Sequence, residues 1–164
     1  MTRGRAALTV DLETFEQLPA YRDAAGTADR GDIGLEAIED LLALFDRHDA
    51  TCTFFTVADI ADDRPDLVAE IADRGHEIAS HTSSHRHLPE LDSEERRAEI
   101  GESRATLERA AGTDVAGFRA PSFQRTDDYL DLLADAGYEY DSSVVPCRSI
   151  PGWYGGGYDT HRPV

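Results

Sequence analysis

Lysine is missing altogether. All 16 cationic side chains are Arg, against 33 Asp and Glu, for a formal charge of −17 in 164 residues. Such a chain repels nucleic acid and anionic lipid unless basic groups cluster, and no cluster exceeds Arg96-Arg97. Cysteine is scarce too: Cys52 and Cys147 cannot build a disulfide framework. No apolar run approaches the ~20 residues of a membrane helix, so a spanning segment is excluded. The opening residues MTRGRAALTV lack the apolar core of a secretory signal, which predicts a cytoplasmic protein. Linkers and low-complexity stretches are absent as well.

What remains is an ordinary globular composition, 40% hydrophobic, long enough for one domain with a core. The acid excess runs along the whole chain rather than forming a tail. It reads as a solvated surface adapted to a salt-rich cytoplasm. The Debye length falls to ~3 Å at 1 M salt, where self-repulsion costs little.

Strand-like and helix-like stretches alternate. Ala6–Val10, Thr51–Val57, His76–Ser80, Val115–Phe118 and Tyr138–Asp141 read as strands. Ile38, Leu41, Leu42 and Phe45 recur at helical spacing, predicting a helix over about 34–48. Pro65 suits the first position of a second helix that Gly75 closes. Asp92 with Glu95 resembles a capping box opening a third helix to about Ala111, stopped by Gly112. A fourth is capped by Thr126 and closed by Gly137. Residues 14–33 and 143–164 read as loops. This alternation predicts a parallel sheet with covered faces, either open or an incomplete barrel.

In parallel βα folds the reactive side chains gather where strands end. Asp11 and Glu13 follow the first strand, His81 and His85 the third, Arg119, Pro121 and Phe123 the fourth, and Asp141 the fifth. His81 and His85, four apart, would share one face of a helical turn and could chelate a metal with one carboxylate. Of Asp11 and Glu13, one could hold the metal while the other takes a proton from the attacking water. Arg119 would keep that base ionised, and Asp141 could orient Arg119. Phe123 and Trp153 could wall a groove for a sugar ring. His87 reads as a loop residue facing away, and His48 and His76 as structural or solvated.

Four segments then carry a resemblance: Thr9-Val10-Asp11-Leu12-Glu13, His81-Thr82-Ser83-Ser84-His85, Phe118-Arg119-Ala120-Pro121-Ser122-Phe123 and Tyr140-Asp141-Ser142-Ser143. In this order they resemble the motifs of the polysaccharide deacetylases (the NodB homology domain, carbohydrate esterase family 4). The resemblance runs from about Leu8 to Gly157. The last segment and the following Ile150-Pro151-Gly152-Trp153 are most similar to members serving exopolysaccharide and surface-glycan pathways.

The resemblance implies an irregular (β/α)7 barrel and removal of acetyl groups from N-acetylated sugars or glycans. It implies a divalent ion, zinc first, with cobalt or a similar ion as substitute. Asp11 becomes the general base, His81 and His85 metal ligands, and Pro121, Phe123 and Trp153 substrate contacts. The family's metal carboxylate is commonly Asp; here Glu13, with a longer arm, is the best candidate.

The family's fifth motif carries a His that acts as general acid, and Val164 precedes any such strand; His161 lies too near the fourth motif to replace it. The expectation is therefore one domain over 1–164, a partial barrel of about five βα units, slow to turn over and prone to self-associate. Two alternatives stay open: hydrolysis of a small cyclic amide or ureide on the same fold, and a shortened, inactive metal-binding fragment.

Overall fold

The computed structural model describes residues 6–18, 21 and 33–145. Five strands form one parallel sheet: β1 (Thr9–Leu12), β2 (Thr53–Thr56), β3 (Glu77–Ser80), β4 (Gly117–Phe118) and β5 (Tyr140–Asp141). Their spatial order is the chain order. Each new strand is added on the same side, as in a barrel wall; a doubly wound sheet would reverse its order at a switch point. The expected α/β architecture, a five-stranded part of a βα barrel, is what the chain adopts.

The helices are α1 (Ile33–Glu36), α2 (Ile38–Arg47), α3 (Ala58–Asp63), α4 (Pro65–Asp73), α5 (Ser93–Ala111) and α6 (Tyr129–Ala136). Several local signals act as expected. Pro65 opens α4, where its missing N–H costs nothing. Asp92 accepts from the amides of Glu94 and Glu95 while Glu95 reaches back to the Asp92 amide, closing the capping box of α5. Gly112 and Gly137 end α5 and α6 at φ +67 and +83, a region that side chains resist.

Other signals mislead. The helix expected over 34–48 is two pieces, α1 and α2, with a turn at Ala37. Helix α3 was not anticipated, because six residues give too little periodicity; it buries Ala58, Ile60 and Ala61. The Thr126 hydroxyl bonds the Asp128 carboxylate at 2.6 Å rather than a helix amide, and α6 begins only at Tyr129. Strand β1 starts at Thr9, not Ala6, so Asp11 lies within the strand. Apolar runs overstate strand length because pairing with a neighbour, not hydrophobicity, sets the ends.

Successive strand residues face opposite sides. Leu12, Phe54, Ile78 and Phe118 turn toward Leu42, Val68, Ile71, Ile100 and Leu107 of the helices and build the core. Each fully buried Phe or Ile contributes about 1.5–3 kcal/mol. Pairing aligns Asp11 with Phe55 and Ala79. The hydrogen-bond ladder then continues one residue past the strands: His81 N–H donates to the Thr56 carbonyl, Arg119 to Ser80 and Ser142 to Phe118. That extra row puts His81, Arg119 and Ser142 on the same face as Asp11, and Glu13 joins them because it lies two residues beyond Asp11.

His76 is structural. It is buried, its Nδ1 accepts the Cys52 amide at 3.2 Å, and its ring stands 5.4 Å from both Phe45 and Phe54. Burial pushes it below the usual imidazole range. His48 ends α2 in solvent. Among the described residues, no helix is long and apolar enough to cross a membrane.

Candidate active site

At the C-terminal end of the sheet, Glu13, His81 and His85 present one ligand atom each, all within 4.8 Å of one another. Glu13 follows β1 by one residue and His81 follows β3 by one residue. His85 arrives differently from the expectation. Residues 81–85 are not a helical turn: Thr82 and His85 have φ of +68 and +60, and the segment is a loop. The left-handed bends fold the chain back, so the rings approach to 5.0 Å between centroids. A four-residue spacing that a helix would satisfy is satisfied here by two reversals.

Both imidazoles are oriented from behind. His81 Nδ1 lies 2.7 Å from the Arg119 carbonyl, and His85 Nδ1 lies 3.0 Å from the Gln17 carbonyl. A carbonyl only accepts, so each Nδ1 carries a proton and each Nε2 is turned inward. This is the backing that metal-ligating histidines commonly have. Burial holds His81 below the usual imidazole range, which keeps its ring neutral.

The Nε2 atoms face Glu13. Its Oε2 lies 2.6 Å from His85 Nε2 and 3.8 Å from His81 Nε2. A neutral His85 has one N–H, already given to Gln17. Its Nε2 and the Glu13 carboxylate can share a 2.6 Å contact only with a further proton or a cation between them. Two nitrogen donors and one carboxylate, all aimed at one point and rich in lone pairs, fit a divalent ion.

Asp11 stands beside this group. Its Oδ2 is 4.0 Å from His81 Nε2, while its Oδ1 pairs with Arg119 Nη1. Arg119 in turn lies across the Phe55 ring at 3.9 Å and donates to Ser142 Oγ at 2.8 Å and Thr9 Oγ1 at 3.3 Å. The guanidinium is thereby fixed on three sides and nearly buried, so its charge acts on Asp11 with little screening.

Asp141 does not orient Arg119. It accepts the Tyr129 hydroxyl at 3.2 Å and the Ser143 amide and hydroxyl at 3.1 and 2.6 Å. Ser143 Oγ then accepts the Ala120 amide at 2.7 Å. Asp141 therefore braces the backbone next to Arg119, and its neighbour Ser142 makes the direct contact. Strand alternation is the reason: Asp141 shares the parity of Phe118, not of Arg119.

Pro121 is buried and opens a one-turn 3-10 helix, which leaves little of its side chain to offer a substrate. That turn holds Ser122 and Phe123 at φ +51 and +56. The Phe123 ring is half-buried, 5.6 Å from the Arg119 guanidinium, and is in place to wall a groove. Trp153 and His161 lie outside the described residues. His87 does not face away: its Nε2 is 3.2 Å from Ser122 Oγ and its ring 6.4 Å from that of His85.

Sequence reasoning also overlooked Gln17, Phe55, Ser142 and Glu99. Gln17 acts through a backbone carbonyl, which no side-chain pattern reveals. Glu99 did leave a trace, since it shares one face of α5 with buried Ser103 and Leu107 at four-residue intervals.

The chain is similar to known proteins in sequence and in fold. The polysaccharide deacetylase family model matches residues 19–140. A peptidoglycan-N-acetylglucosamine deacetylase of Bacillus cereus is 33% identical over 104 residues, covering 63% of this chain and 38% of the relative. A chitooligosaccharide deacetylase of Sinorhizobium fredii is 30% identical over 99 residues, 60% of this chain and 46% of the relative. A solved structure from Mycobacterium smegmatis assigned to the polysaccharide deacetylases superposes with a TM-score of 0.74 at 32% identity. It covers 84% of this chain and 50% of that one. The chain thus spans half or less of the length of these relatives.

Proposed function

Because this chain belongs to the polysaccharide deacetylase family, we propose that it hydrolyses the N-acetyl amide of sugars in a glycan or glycan precursor, with Asp11 as general base. The observation that carries this reading is the convergence of two backed imidazoles and Glu13 beside a carboxylate paired with a guanidinium. Glu13, His81 and His85 would hold a divalent ion, zinc first, with Asp11 left free. Such an ion supplies Lewis acidity, which makes water a stronger acid and the acetyl carbonyl a better electrophile.

The chain's own residues do the rest. Asp11 Oδ2 faces the same space as His81 Nε2, and there it accepts the proton of the attacking water. Arg119 pairs with the carboxylate and holds its Oδ1 in place, so Oδ2 points inward. Phe123 offers an apolar face to a sugar ring. The products are acetate and the free amine.

The test is acetate release and amine appearance from an N-acetylated chitooligosaccharide, before and after dialysis against a strong chelator. Release that stops on chelation and returns with added zinc is the expected result. Turnover of allantoin or another cyclic ureide in place of the glycan would overturn the glycan reading.

The surface supports a second proposal, on the medium in which the protein works. With 33 acids for 16 arginines, cations are shared. Arg74 alone bonds Glu39, Asp46 and Glu70, at 3.2, 3.0 and 2.5 Å. The remaining charge is left to salt, as in a salt-rich cytoplasm. Melting temperature is expected to rise by roughly 10 °C or more between about 0.1 and 2 M KCl as the screening length shrinks. A flat response over that range would reject the adaptation.

A further inference from the structure

The loop that carries both histidines is held by a residue that touches neither. Its backbone is costly: Thr82 and His85 are left-handed non-glycine residues, and Thr82 is β-branched. Such positions are sparsely populated and persist only when their surroundings fix them. Here every amide of the loop is fixed. His81 N–H donates to the Thr56 carbonyl, Thr82 N–H to Ser80 Oγ and His85 N–H to Thr82 Oγ1. The two central amides, Ser83 and Ser84, both donate to one atom, Glu99 Oε2, at 2.9 and 3.0 Å.

Glu99 reaches them from α5, where it is 8% exposed. Its Oε1 accepts the Ser84 hydroxyl at 2.5 Å, and its backbone carbonyl accepts the Ser83 hydroxyl at 3.2 Å. Among the described residues no Arg pairs with this carboxylate; its partners are the loop's own donors. A buried carboxylate met only by N–H and O–H groups of one short loop binds that loop in one conformation. The same helix fixes the loop's root, since Ser103 Oγ lies 2.7 Å from Ser80 Oγ.

We propose that Glu99 is a positioning residue for the metal site. It sets the reversal between His81 and His85, so that both Nε2 atoms meet Glu13 around one point. This inference rests on the reading of Glu13, His81 and His85 as metal ligands. Without Glu99, two amides lose their acceptor and the strained turn loses its brace. The imidazoles then splay while the sheet and core, which Glu99 does not join, persist.

The test measures metal alone, without substrate. Zinc affinity is read by competition with a chromophoric chelator, and ligand geometry from the visible absorption of the cobalt(II)-loaded chain. Glu99→Ala is expected to weaken zinc binding ~10–100-fold, the usual cost of removing an outer-shell support, and to alter the cobalt spectrum. Glu99→Gln keeps one carbonyl oxygen for the two amides and should restore most of the affinity. Glu99→Asp, one methylene shorter, keeps a carboxylate on α5 but draws it back from the two amides; it is expected to weaken zinc binding in the same direction as Ala and serves should the Ala variant fail to fold. Wild-type affinity and an unchanged cobalt spectrum in folded Glu99→Ala, or in Glu99→Asp with Ala unfolded, would overturn this role alone. If the unsubstituted chain binds neither ion, or binds equally after His81→Ala with His85→Ala, the metal reading fails and takes this inference with it.

Discussion

Replacing Asp11 by Asn should cut acetate release by about 10²–10⁴-fold, the usual worth of a general base, while leaving metal binding intact. The substitution keeps shape and volume. Asn still offers an oxygen to Arg119, which stays clamped by Ser142, Thr9 and the Phe55 ring. What it removes is, among the described residues, the one carboxylate near the imidazoles that is not in the three-ligand group. The loss should fall on kcat, with KM little changed, because no substrate contact is removed.

Glu13→Gln should do the reverse in order: metal is lost first, and activity with it. The pair of variants separates the two carboxylates, which spacing alone leaves equivalent. A chain with Asn at position 11 that retained a third of its turnover would remove Asp11 from the chemistry. One that lost its metal would make Asp11 a ligand.

The second large effect concerns the imidazoles. Elemental analysis of the unsubstituted chain should give one divalent ion per molecule, and of His81→Ala with His85→Ala none. Both rings are 2% exposed and supply two of the three converging donors. A lone half-exposed carboxylate cannot hold a divalent ion against bulk water. Turnover should fall to background with the metal. Removing the rings also strips the Nδ1 contacts to Arg119 and Gln17, so circular dichroism must accompany the measurement. Single Gln substitutions, closer in volume, serve if the double variant is unstable. Full occupancy in a folded double variant would dismiss this site.

Much of this was open to a reading of residues alone. Two carboxylates two apart where a strand ends are offered to one site, and the sequence places Asp11 and Glu13 in that way. The helix ends at Gly112 and Gly137 and the capping box of Asp92 and Glu95 are contained within a few residues, so no distant partner could change them. The resemblance to the polysaccharide deacetylases rested on segments of this local kind. Helix α3 escaped because six residues cannot display a period, and strand ends escaped because they depend on the neighbouring strand.

The sequence by itself determined which side chains could carry chemistry and that they would collect where the strands end. The tertiary structure decided which of them meet. Asp11 and Arg119 are 108 residues apart, and nothing between them states that they will pair. The His81–His85 loop takes its shape from Glu99 on another element, against the preference of its own Thr82. Asp141 and Ser142 differ by one position, and the alternation of β5 alone gave Arg119 to the serine. Local rules fix the direction of a side chain from its neighbours in sequence. The partner it finds there depends on how five strands align, and that is settled only when the whole sheet has formed.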